Sequence, residues 1–164
     1  MKRIGLLSDT HSFLDLPLVR DFFKDCDEIW HAGDFGNIAV YDQLLQLKPT
    51  KGVWGNIDGN DVRQVLPKIN IFHCEQVKVL MIHIGGYPHK YPQSVRNLIA
   101  THQPNLFICG HSHILKIMYD AQYQMLTMNP GAFGKEGFHK VRTLVRFSIS
   151  EDKIHDLQIF ETKR

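Results

Sequence analysis

Ile4-Gly5-Leu6-Leu7-Ser8-Asp9-Thr10-His11 is a short apolar run that stops on a carboxylate and an imidazole. The same pairing recurs down the chain. Ile29-Trp30-His31-Ala32-Gly33 stops on Asp34, Val53-Trp54-Gly55 on Asn56, and the run 77–82 on His83. Leu106-Phe107-Ile108-Cys109-Gly110 runs into His111-Ser112-His113. Runs this short, bounded by polar and turn residues, suit buried strands better than helices. In open α/β sheets, ligands sit just outside the carboxyl ends of strands. Residues distant in sequence are therefore expected to converge on one edge.

Helical spacing fills the gaps. Leu16, Val19, Phe22 and Phe23 form one stripe, with Asp15 at the N-cap and Pro17 in the first turn. Val40, Leu44, Leu45 and Leu47 form a second. Val95, Leu98 and Ile99 form a third, opened by Pro92 and closed before Pro104. Strand–helix–strand alternation argues for an α/β layered fold with a largely parallel sheet. The C-terminal third reads differently. Residues 114–119 and 123–128 are expected to be strands around an Asp120-Ala121-Gln122 turn. Val141, Thr143, Val145, Phe147 and Ile149 alternate with polar or mixed residues, and a turn at 150–153 leads to a last strand at 154–160. The expected architecture is two mixed β-sheets packed as a sandwich and flanked by helices, forming one domain over residues 1–164.

Composition bounds the function. Of 164 residues, 43% are hydrophobic and 22% charged, which describes a globular chain able to bury a core. A net charge of +2 supplies no broad basic surface, so long duplex nucleic acid is not an expected partner. Cys26, Cys74 and Cys109 are odd in number and form no CxxC pair, which fits a reducing compartment. The apolar part of the N-terminus is too short for a signal peptide, and no stretch approaches the roughly 18 residues of a membrane span. A cytoplasmic protein without membrane contact is expected, and a homo-oligomer stays open.

The donors Asp9, His11, Asp34, Asn56, His83, His111 and His113 mix oxygen with imidazole. Such a set suits Mn²⁺, Fe²⁺ or Zn²⁺ better than a purely oxygen-bound ion or a thiolate-bound zinc. Seven donors exceed one tetrahedral ion and suit two ions about 3.5–4 Å apart.

In this order, Asp9-x-His11, Gly33-Asp34, Gly55-Asn56, His83 and Gly110-His111-Ser112-His113 resemble the calcineurin-like metallophosphoesterase superfamily. The nearest likeness is its small YfcE-type branch of phosphodiesterases, and Asn129-Pro130-Gly131 extends the match. The resemblance implies two divalent ions, Mn²⁺ first, with Fe²⁺, Zn²⁺, Ni²⁺ or Mg²⁺ as alternatives. Asp9, His11 and His113 would hold one ion; Asn56, His83 and His111 would hold the other; Asp34 would bridge. Asp34, Asn56 and His83 would be the catalytic core, and a hydroxide between the ions would attack phosphorus in a small phosphate ester, with a diester favoured. Many members carry a His after the motif Asn as proton donor, and the small branch often a Cys. Here Ile57 stands in that place.

Two loops are expected to border the substrate. One contains His89 after the His83 strand; the other contains Lys135, His139 and Arg142 after Asn129-Pro130-Gly131. These four are the candidate substrate contacts, with a solvated surface as the plain alternative. His31 and Asp58 are candidates for supporting a ligand, or for packing and turn formation respectively. A non-catalytic scaffold is the competing function, because the small subunit of the eukaryotic retromer coat resembles this fold. The complete donor set favours an enzyme, since a scaffold has no need of buried polar groups aimed at one point.

Overall fold

The computed structural model describes residues 1–164. Ten strands and four helices follow the order β1 (Lys2–Leu7), α1 (Leu16–Phe22), β2 (Glu28–His31), α2 (Ile38–Leu47), β3 (Thr50–Gly52), α3 (Asn60–Arg63), β4 (Ile69–Cys74), β5 (Val77–Ile82), α4 (Gln93–His102), β6 (Leu106–Ile108), β7 (Leu115–Asp120), β8 (Met125–Pro130), β9 (Val141–Ser150) and β10 (Lys153–Lys163). One sheet runs β10-β9-β1-β2-β3 and the other β4-β5-β6-β8-β7.

Both sheets are mixed, as the expected sandwich requires, although neither is largely parallel as strand–helix alternation alone suggested. In one, β1-β2-β3 are parallel out to the β3 edge, and β9 and β10 add antiparallel pairs on the other side; in the other, a parallel centre β5-β6-β8 lies between antiparallel β4 and β7. The reason is local: β4, β7 and β10 each join a neighbour through a short turn, and tight turns close only antiparallel pairs.

Side-chain alternation builds the layers. Ile4, Leu6, Trp30, Val145 and Phe147 of the first sheet meet Val77, Val79, Met81, Leu106, Ile108 and Met128 of the second. The opposite face of the first sheet, with Leu7, Ile29 and Leu144, takes Val19, Val40, Leu44 and Val62 from the helices. Leu80, Ile82 and Phe107 take Val95 and Ile99 of α4. At about 1.5–3 kcal/mol per fully buried large aliphatic or aromatic side chain, this central seam is the main favourable contribution to folding.

The helix starts follow their caps. Asp15 accepts from Leu18 N at the start of α1, and Asn37 accepts from Ala39 N at the start of α2. Leu45 of the expected second stripe is 43% exposed, so α2 buries only Val40 and Leu44 fully. The β7–β8 connection is longer than the expected three-residue turn: β7 ends at Asp120, and β8 starts at Met125. Asp120 Oδ1 accepts from the Gln122 and Tyr123 amides, which ties up the backbone that would otherwise have extended β8. β10 carries a register shift between His155 and Gln158, with Asp156 at φ 54°. The parallel strands β1, β2, β5 and β6 deliver their carboxyl ends to one rim, and the 9–13, 32–37, 83–92 and 109–114 loops meet there.

Candidate metal centre

Backbone hydrogen bonds lace these loops together before any side chain is considered. Asp9 N donates to Gly33 O at 2.9 Å, His11 N to Asp34 O at 3.1 Å, and Ser12 N to Phe35 O at 2.7 Å. Gly110 N donates to His83 O at 2.9 Å, and His111 N donates to Asp9 Oδ2 at 3.0 Å, which joins the two sheets. Ser8 Oγ donates to the same Asp9 oxygen at 2.6 Å, so Oδ1 is left facing inward.

The donors fall into two clusters, Asp9 with His11 and His113, and Asp34 with His83 and His111. Within each, the ligand atoms lie within 4.8 Å of one another. The clusters adjoin. Asp34 Oδ2 is 3.2 Å from His83 Nε2 and 3.5 Å from His11 Nε2, and Asp9 Oδ1 is 3.8 Å from His83 Nε2 and 3.2 Å from His113 Nε2. Ile57 N donates to Asp34 Oδ1 at 3.1 Å, which turns Oδ2 toward both groups. Asn56 lies between Gly55 and Ile57 on the exposed rim of this turn. A Cβ on Gly55 would fall 2.0 Å from Asp34 Oδ1, and one on Gly33 (φ 102°) would fall 2.5 Å from His83 Nδ1. Only glycine allows the backbone this close to these two side chains.

The donor set fits a cation by its own energetics. Asp9 Oδ1, His11 Nε2 and His83 Nε2 are three of only four buried side-chain polar atoms in the protein that lack a partner. Leaving such an atom unpaired costs about 1–3 kcal/mol. Three of them pointed into one space make a poor protein interior and a good cation site. His83 Nδ1 donates to Ala32 O at 2.7 Å, so in the neutral ring Nε2 is the lone pair. The charge balance agrees. Burial works to raise the Asp9 carboxyl, but the His11 and His113 contacts and the nearby His83 hold it well below the usual carboxylate range. Burial opposes ionisation of Asp34 too, and the His83 contact holds it down. His11 is pushed up by its contact with Asp9. His83 is pushed up by Asp34 against the effect of burial. Positive charge is thus favoured at this point.

Five of the seven donors, Asp9, His11, Asp34, His111 and His113, have left-handed backbone, with φ from 45° to 71°. Outside glycine such conformations cost on the order of 1–3 kcal/mol and cluster where geometry serves function.

A second layer supports the first. His31 is completely buried and stacked on Phe35 with ring centroids 3.6 Å apart. Its Nδ1 accepts from Gly33 N at 3.1 Å, so its proton lies on Nε2 and is given to Thr10 Oγ1 at 3.0 Å. Burial pushes its pKa down to about 3. Asp58 accepts from Gly36 N and Gly55 N, each at 2.8 Å, and so clamps the Asp34 loop to the Asn56 turn. Both residues thus make hydrogen bonds to the loops that carry the donors, beyond plain packing or turn formation. Sequence reading missed the part of Asn129, whose Nδ2 donates to Gly110 O at 2.8 Å and Ser112 Oγ at 3.0 Å beneath the His111 loop. The hint was available in Asn129-Pro130-Gly131, but not its partner.

The expected substrate contacts scatter. His89 is exposed at φ 70° on the 83–92 loop. Lys135 Nζ lies 4.4 Å from the Phe13 ring centroid. The Arg142 guanidinium sits 5.2 Å from Phe13, 5.1 Å from Phe133 and 4.0 Å from Asp15, with Nη1 buried and unpartnered. His139 faces His113, Nδ1 to Nδ1, at 3.1 Å. Beside His111 opens a cleft of about 200 Å³, lined by Ile84, Tyr87, Lys90, Ser112, Lys116 and Thr127 among others. Lys116 Nζ caps the Tyr87 ring at 3.8 Å.

A profile of the calcineurin-like phosphoesterase superfamily domain matches residues 1–152. A probable metallophosphoesterase of Methanothermobacter thermautotrophicus is 32% identical over 135 residues, covering 79% of this chain and 76% of that protein. Among solved structures, a novel archaeal phosphodiesterase superposes with TM-score 0.75 at 20% identity, over 96% of this chain and 99% of the other. Wild-type Vps29 of Entamoeba histolytica, solved as a complex with zinc, superposes with TM-score 0.74 at 15% identity over 98% of each chain.

Proposed function

We propose that this chain, which belongs to the calcineurin-like phosphoesterase superfamily, is a binuclear metal-dependent phosphodiesterase. The observation that carries the reading is the group of inward-facing, unpartnered atoms Asp9 Oδ1, His11 Nε2 and His83 Nε2 around Asp34 Oδ2. Asp9, His11 and His113 would hold one divalent ion, and Asn56, His83 and His111 the other, with Asp34 between. Mn²⁺ is the first choice for this mixed nitrogen and oxygen set; Fe²⁺, Zn²⁺, Ni²⁺ and Mg²⁺ are the alternatives. Ions bound there acidify water and neutralise charge on the phosphoryl oxygens.

The protein's own part is orientation. Ile57 N fixes the Asp34 carboxylate, Ala32 O fixes the His83 tautomer, and the interlaced loops keep both clusters at one distance. Ile57 is 45% exposed at the rim and has no proton to give, so the leaving oxygen departs without help from that position. Good leaving groups are favoured. The cleft beside His111 would take the ester's organic group against Tyr87 and Lys116. Lys135 is the proposed phosphate-side cation, with the buried Arg142 beside it on Phe13, and His89 would border the cleft mouth. The substrate is a small ester of a cytoplasmic pool rather than duplex nucleic acid.

The test is Mn²⁺-stimulated cleavage of bis(p-nitrophenyl) phosphate against the monoester. Asp34→Asn and His83→Ala are expected to reduce it to background. Inactivity with every divalent ion would sink the enzyme reading and leave the scaffold on the same fold. The intact donor set speaks against that outcome.

A further inference from the structure

One loop stands behind the whole first cluster. Gly134 N donates to Asp9 O at 2.9 Å, Glu136 Oε2 lies 3.7 Å from His11 Nδ1, and His139 Nδ1 lies 3.1 Å from His113 Nδ1. The proton positions in the last pair follow in sequence. His139 Nε2 is 2.8 Å from Gly134 O, and a carbonyl can only accept, so that nitrogen carries a hydrogen. In the neutral ring, Nδ1 is then an acceptor. The hydrogen between the two imidazoles therefore belongs to His113 Nδ1. His113 Nε2 is left as a lone pair, 3.2 Å from Asp9 Oδ1 inside the first cluster. Gly137 keeps the rings together, since a Cβ there would lie 2.3 Å from His113 Nδ1 and 3.0 Å from His139 Nδ1. Both ring nitrogens of His139 are thus engaged, which leaves neither for a phosphate oxygen.

The geometry points to the 134–139 loop as the retaining device of the first metal position, with His139 and Glu136 as positioning residues for His113 and His11. The assignment rests on the two-ion reading above and adds an asymmetry to it. The second cluster's His83 is held by a backbone carbonyl that no substitution removes, whereas the first cluster's histidines depend on two side chains of one surface loop. Outer partners of metal-bound histidines are typically worth 10–100-fold in metal affinity. The Glu136 side chain is 77% exposed, so its share is the smaller.

The experiment is a competition titration of chelator-stripped protein with Mn²⁺ against a fluorescent chelator, which reads affinity without turnover. Wild type is expected to bind two ions. His139→Leu is expected to keep one at unchanged affinity and bind the other about 10–100-fold more weakly. His139→Asn, whose Oδ1 takes the acceptor place of Nδ1, is expected to restore most of the loss, and Glu136→Gln to weaken the same ion by less. Because residue 136 is exposed, that last variant tests the loop without risk to folding. Two ions bound by His139→Leu as tightly as by wild type would overturn the loop assignment alone. Equal weakening of both ions, unrescued by Asn, would overturn it in favour of general disruption. Wild type that binds no ion would overturn the two-ion reading and the assignment with it.

Discussion

At the scale of single residues, the centre is made by small steric and protonic choices. Gly55 packs so closely on Asp34 that Gly55→Ala has no room; the expected result is weakened Mn²⁺ uptake in the same chelator competition, with the fold retained by circular dichroism. His31 makes a different prediction. Its pKa falls from the ordinary 6.5 to about 3 because it is buried, so the unfolded chain takes up a proton that the folded one refuses. Stability in chelator should therefore fall as pH drops from about 6.5 toward 3, with a slope of up to about 1.4 kcal/mol per pH unit for this one proton. His11 and His83 are shifted upward, so their contribution is lost only as pH rises and stays constant across this window. Urea midpoints of wild type and His31→Gln measured across it should converge at acid pH; parallel lines would refute the account. The convergence of Asp9, His11, Asp34, His83, His111 and His113 was legible in the sequence, because each follows an apolar run. Their hydrogen-bond partners were not, because the Thr10–His31, Asn129–Gly110 and His113–His139 pairings depend on tertiary contact and leave no spacing to read.

At the scale of elements, loops rather than strands hold the tolerances. Asp58 spans two loops with two charge-assisted bonds, and Asp58→Asn keeps only one acceptor oxygen. A loss of roughly 1–3 kcal/mol is expected, visible as a lower urea midpoint. The longer elements could be read ahead: α1, α2 and α4 from their stripes, and β5 and β9 from their apolar pattern. β4 could not, since Ile69, Asn70, Ile71 and Phe72 are all only partly buried on an edge and give a blurred alternation. α3 has four residues, too few to show a stripe. The mixed character of the sheets was legible from the turns at 120–122 and 150–153, which close antiparallel pairs, whereas the antiparallel pairing of β1 with β9 spans most of the chain and leaves no local signal.

At the scale of the whole molecule, the proposed function makes Ile57, which has no proton to give, set the expected substrate profile. General acid help is typically worth 10²–10⁴-fold, so kcat/KM should fall steeply from aryl to alkyl diesters. Ile57→His should raise turnover of alkyl esters by up to about 10²-fold and leave aryl esters nearly unchanged. A uniform change across the series would show that residue 57 does not face the leaving group. The shifted register at Asp156 has a consequence of another kind. β10 is the long outer margin of its sheet, eleven residues with no neighbour beyond it. A straight ribbon of that length offers a template onto which further molecules can zip, and a kink spoils the template. Deleting Asp156 would restore an even ladder, and turbidity that grows with concentration is the result to look for.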